Sequence, residues 1–198
     1  LSFVCVITFA NAQEEDKSST EPTKGFKKEN LFTGGNLGLG FGSGTTSFGI
    51  SPHFGYSITK WLDAAISVNY NYISQRDYYV LNDKLRQTTI GPGAFVRIFP
   101  VKFLFAQAQF EHNFIKLKYI PASGSGISSS VEKVEANSFL VGAGYTSGRS
   151  PGNNSYYYFS IAVDVLKDPY SPYLDNQGRI LPVVKAGYNI ALFQGRNK

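Results

Sequence analysis

From Leu31 to Phe193 apolar and polar residues alternate with a period of two, and no long segment follows the 3.6-residue period of a helix. The clearest run is 62–74, where Leu62, Ala64, Ile66, Val68, Tyr70 and Tyr72 share one face and Asp63, Ala65, Ser67, Asn69 and Asn71 the other. In 46–58, Phe48, Ile50, Pro52, Phe54 and Tyr56 oppose Ser47, Gly49, Ser51, His53, Gly55 and Ser57. The template recurs at 36–41, 90–98, 104–114, 139–145, 157–165 and 180–192. Together these predict eight strands, several longer than the ~5–6 residues usual in soluble sheets.

The predicted connections differ in length. Thr59-Lys60 and Pro100-Val101-Lys102 are tight and 147–154 is moderate, whereas 75–85, 120–133 and 167–179 are long. The segment 43–45 is a short exception among the latter. An even number of ~9–11-residue strands with short turns at one end and longer loops at the other predicts an all-β, eight-stranded antiparallel up-and-down transmembrane β-barrel, with its short turns periplasmic.

Alternation by itself also fits a soluble lipocalin-like barrel that turns its apolar face inward around a ligand. The polar face decides between them: it is rich in Gly, Ser, Ala and Asn, which suit a crowded lumen better than a solvated surface. Tyr56, Trp61, Tyr145 and Tyr157 fall near the expected periplasmic boundary, and Tyr70, Tyr72 and Phe114 near the outer one. Aromatics favour strands in general, but their collection at two levels predicts a pair of interfacial girdles.

The ends of the chain read differently. The uncharged run 1–12 closes on Ala10-Asn11-Ala12, a small-x-small site, and predicts the remnant of a secretory signal; a strand or buried helix of a cytosolic protein is the alternative. Residues 13–30 are polar, aperiodic and mixed in charge, as in a flexible periplasmic linker. Cys5, the single cysteine, lies within the signal, so the mature chain is expected to hold no disulfide or thiolate site. Two histidines, His53 and His112, are too few for a histidine-rich metal cluster, and no cofactor is expected. The formal charge of +5 is scattered along the sequence, which suits anionic lipid headgroups better than nucleic acid.

Candidate chemistry lies on the lumen face, because an ion inside a narrow barrel must be paired or solvated. Asp63 and Arg97 fall near the periplasmic ends of adjacent strands, while Glu111, Asp164 and Lys185 each fall some eight residues above their turns. These five predict a lumen charge network, either a gate or, since an eight-stranded interior is just wide enough for side chains, a plug. His112 on the apolar face leaves open an outer-membrane hydrolase acting on lipid A, but no serine falls beside it. His53 is expected in a structural role in the lumen. Gly34, Gly35, Gly38, Gly40 and Gly42 occupy an alternating strand with no following helix, so they read as relief of crowding and not as a phosphate loop. An adhesin or receptor would act through loops carrying Tyr78, Tyr79, the 123–130 Ser/Gly tract, Tyr170 and Tyr173.

Taken over 31–193, the chain resembles the small eight-stranded outer-membrane barrels of the OmpA transmembrane-domain and OmpX type. Members end on a strand with a terminal aromatic read by the barrel-assembly machinery, and Ala186-Gly187-Tyr188-Asn189-Ile190-Ala191-Leu192-Phe193 is similar to that signal. This chain departs from the pattern by a tail, 194–198, after Phe193. The resemblance implies a monomer surrounded by outer-membrane lipids and lipopolysaccharide. Its role would be structural or surface-interacting, without catalysis; a narrow porin-like channel is the alternative. The fold hosts many activities, so any function has to be argued from a site.

Overall fold

The computed structural model describes residues 25–42, 44–147, 155–174 and 178–193. The expected signal remnant 1–12, most of the linker and the tail 194–198 lie outside the described residues. After a single 3-10 turn at Lys28–Asn30, eight strands follow: β1 (Leu31–Gly42), β2 (Thr45–Ser57), β3 (Leu62–Arg76), β4 (Lys84–Val101), β5 (Leu104–Ile120), β6 (Ser130–Thr146), β7 (Tyr156–Asp164) and β8 (Val183–Ala191). Each pairs antiparallel with the next, and β1 pairs with β8, so the sheet closes into an up-and-down barrel with no free edge.

Eight strands were expected and eight form, yet their lengths differ from the apolar pattern. β4, β5 and β6 run 17 or 18 residues, well past the segments in which the apolar face is outward. The cause is a change of phase. On β5 the outward residues up to Phe114 are apolar except His112, but above it Ile115 is buried while Lys116 and Lys118 are exposed. Below that level the outward wall is apolar and the lumen holds polar side chains above a layer of buried aromatic rings, whereas above it β5 turns Ile115 inward and its lysines outward. The connections expected at 75–85 and 120–133 therefore shrink to 77–83 and 121–129.

Two further boundaries move. Pro100 and Val101 belong to β4, where the register shifts between Ile98 and Val101, so the tight turn is Lys102-Phe103. Ile180 and Pro182 precede β8, and Ile180 forms a lone bridge with Leu174 within the β7–β8 connection. That connection is consequently longer than expected, at 165–182.

The outward wall carries Leu37, Leu39, Phe54, Ile66, Val68, Ile90, Phe110, Phe114, Phe139 and Phe159, all exposed. From Leu62 to Tyr72 on β3 and from Leu104 to Phe114 on β5 the outward face runs eleven residues, and the ten steps between their ends, at usual strand rise and barrel tilt, span ~25 Å along the axis. Of the residues expected in the girdles, Tyr70, Phe114, Tyr145 and Tyr157 are exposed on their strands, Trp61 is exposed in the turn before β3, and Tyr56 and Tyr72 are half-buried. Tyr157 packs against Tyr188 at 4.4 Å with its ring tilted by 45°, Tyr145 packs on Phe103 at 6.2 Å, and Phe26, just before β1, stacks on Tyr56 at 5.3 Å.

Candidate functional site: the filled lumen

At the end of the short turns the lumen is closed by aromatic rings. Phe99, Phe105, Tyr156 and Tyr158 form one buried cluster, and Phe32, Ala65 and Phe95 a second. Glycines on the facing strands make the room: a Cβ on Gly144 would strike the Phe105 ring, one on Gly55 the Phe32 ring, and one on Gly187 would lie 2.6 Å from the Tyr158 ring. The small residues of the polar face thus act as sockets for large ones. Arg97 is buried among these rings, its guanidinium 4.2 Å from the Tyr158 centroid, 4.6 Å from Phe95 and 5.0 Å from Phe105. Stacking over aromatic faces suits this weakly hydrated cation.

From Arg97 a polar ladder climbs β5. The Arg97 Nε donates to Gln107 Oε1 at 2.7 Å, Gln107 Nε2 to Gln109 Oε1 at 2.8 Å, and Gln109 Nε2 to Glu111 Oε1 at 2.9 Å. The period of two places all three side chains on one face, at spacings that amide side chains bridge. Glu111, fully buried, also lies 3.7 Å from Lys185 Nζ and accepts the Tyr173 hydroxyl at 2.6 Å.

Tyr173 comes from the 165–182 connection, which folds into the barrel mouth. There Ser171 Oγ donates to Asp164 Oδ2 at 2.6 Å and meets Ser138 Oγ at 3.1 Å. Asp164 further accepts the backbone amides of Phe139 and Leu166. Beside this inserted segment a cavity of about 280 Å³ remains, lined on one side by Asn36, Ser51, Asn69, Asn71 and Lys185 and elsewhere by apolar residues such as Leu181 and Val183.

Four of the five residues expected in a charge network are connected in this way. Arg97 reaches Glu111 through two glutamines, Glu111 reaches Lys185 directly, and Asp164 reaches Glu111 through Ser171 and Tyr173, whose amide donates to Ser171 Oγ at 3.2 Å. Asp63, the fifth, is buried directly across from Arg97 in the β3–β4 register. Gln107 and Gln109 were legible as lumen-facing, but their bridging role depends on length and amide chemistry that alternation does not report. Tyr173 corrects an expectation: placed among exposed recognition tyrosines, it is buried at 6 % exposure because Glu111 and Ser171 hold it inside.

The remaining candidates sit as follows. His53 lies in the lumen, its Nε2 3.1 Å from Asn189 Oδ1 and its ring edge-on to Phe95 at 5.4 Å. His112 is on the outer wall, where its Nδ1 is 2.8 Å from Asn137 Oδ1 and its Nε2 3.6 Å from Glu135. The side chains it meets are thus an amide, a carboxylate and the Phe114 ring, none of them a nucleophilic hydroxyl. At the loop end Tyr79 and Tyr170 are exposed and Tyr78 is half-buried. The 77–83 loop closes around Asp83, which accepts the amides of Tyr79 and Val80 at 2.9 and 3.1 Å and the Tyr119 hydroxyl at 3.0 Å, with the Tyr78 amide on its other oxygen. Burial by itself raises this carboxyl, but the amides of Tyr79, Val80 and Tyr78 and then the Tyr119 hydroxyl outweigh it and hold Asp83 below its ordinary carboxylate value.

No family model matches the chain, and no curated protein matches it significantly.

Proposed function

We propose that this protein is an outer-membrane β-barrel whose lumen is sealed by its own side chains and which serves the envelope as a structural element or through its surface loops, not as an enzyme or an open pore. The observation that carries this reading is the reversal of polarity along the wall. A lipocalin-like barrel in water would be apolar inside over its full height. Here a belt ~25 Å tall is apolar outside around a lumen that buries the Arg97–Gln107–Gln109–Glu111 ladder above its aromatic layer, and on β5 only the extension above Phe114 has the soluble order, with Ile115 inward and Lys116 outward. Such a belt matches the hydrocarbon thickness available to a barrel.

The surroundings implied are outer-membrane lipids and lipopolysaccharide, with the barrel-assembly machinery acting on the β8 end during insertion. The resemblance to OmpA- and OmpX-type barrels rests on strand number and alternation; the aromatic expected to end the last strand, Phe193, falls two residues beyond β8, which ends at Ala191. Expression behind a complete export signal in a Gram-negative host, followed by density separation of membranes, tests the location. Recovery with the outer membrane is expected; recovery in the soluble periplasmic fraction would favour a secreted binder.

A further inference from the structure

The outer wall above the apolar belt carries like charges set directly opposite one another. On the outward face of β3–β6, Arg76 pairs in register with Lys84, Arg86 with Lys118, and Lys116 with Lys133. Arg76, Arg86, Lys116, Lys118 and Lys133 are exposed and Lys84 is half-buried. The one carboxylate on that face of these four strands, Glu135, is turned to His112. Opposed like charges destabilise a strand pair, and three such pairs side by side on strands that extend past the rim of the barrel call for an external anion.

The same strands carry a second feature below the cations. Ala64, Ala94 and Ala108 open a depression of about 700 Å³ in the wall, bordered by Ile66, Phe110 and Phe139 on these strands and continuing over Phe54 and Tyr56 of β2 to Phe26 and Leu31. Phe110 lies six residues below Lys116 on β5, or ~20 Å along the strand, a distance an acyl chain can cover. Cations above and an apolar trough beneath match the two parts of an amphiphile.

We propose that the β3–β6 wall is a binding site for a membrane lipid of net negative charge carried on headgroup phosphates, these seated between Arg86, Lys116, Lys118 and Lys133 and an acyl chain lying in the alanine-floored depression. The proposal rests on the membrane reading given above. It accounts for the extended strands: they raise the cations from the interface to the height of the phosphates.

The test is thermal unfolding of the chain refolded into phosphatidylcholine vesicles with and without lipid A, for the wild type and for a triple variant, Arg86→Gln, Lys116→Gln and Lys118→Gln. Lipid A is expected to raise the wild-type midpoint by several degrees, and the rise should shrink in high salt. The variant should gain little from lipid A while equalling or exceeding the wild type in vesicles without it, since the repulsion is gone. Equal gains for both proteins, or a gain for neither, would overturn the site. The same gain from inorganic phosphate alone would overturn the assignment to a lipid. A heat-dependent gel shift in both vesicle types keeps the outcomes separate, because its absence would fail the membrane reading itself.

Discussion

At Gly144 the strand has no side chain because the Phe105 ring occupies the space a Cβ would need, with the Phe159 carbonyl close by. Gly144→Ala should therefore cost about 1–3 kcal/mol through overpacking. Gly38, with nothing near its missing Cβ, should accept alanine at no cost or a small gain, since glycine weakens a strand. Denaturant unfolding of the two variants in one lipid or detergent decides; equal effects would mean that the lumen is not packed around Phe105. A comparable contrast exists at Glu111. Removing Lys185 leaves the buried Glu111 carboxylate with only its neutral partners Gln109 and Tyr173, at a cost of up to about 3–5 kcal/mol, and removing Glu111 leaves Lys185 beside a cavity, at a smaller cost. Glu111→Gln with Lys185→Met should cost clearly less than the sum of the single changes, in a double-mutant cycle by the same unfolding measurement.

Among the elements, the strands legible in the sequence were those whose outward face is greasy. In β3 the alternation from Leu62 to Tyr72 alone defines most of the strand. The upper third of β5 was not legible, because Lys116 and Lys118 take the positions that apolar residues hold below, and the reversed phase reads as the end of a strand. Only pairing with β4 and β6 shows that it continues. The lumen was legible in part: alternation placed Asp63, Arg97, Glu111, Asp164 and Lys185 inside, but the contacts among them depend on register and on a segment 165–182 whose Ser and Tyr residues look like ordinary loop chemistry. The 77–83 loop carries its own pH dependence. Since its folded carboxyl lies below the ordinary value, Asp83 contributes stability that is fully present above pH ~4 and is lost as pH falls through the lowered folded value. Amide exchange of Tyr79 and Val80 should accordingly lose protection in strong acid, and Asp83→Asn should show weaker protection already at neutral pH. Undiminished protection in that variant would contradict the role given to the carboxylate.

For the molecule as a whole, the aromatic layer at the turn end and the inserted segment at the loop end fill the barrel from opposite sides. Lys185→Ala loosens only the upper half, leaving Phe99, Phe105, Tyr156 and Tyr158 in place. Planar-bilayer recording of the wild type and of Lys185→Ala should show no large, stable conductance steps in either; steps that appear only in the variant would make the network a gate and not a plug. The central claim, a closed barrel with its polar side inward and its apolar side against lipid, is tested most directly by gel mobility of the mature chain refolded in detergent or lipid, boiled against unboiled. Closed barrels of this polarity keep their structure in dodecyl sulfate until heated, so the unboiled sample should migrate as a distinct band that boiling converts to the unfolded position. One band under both conditions, from a chain that stays dissolved and folded without detergent, would contradict it.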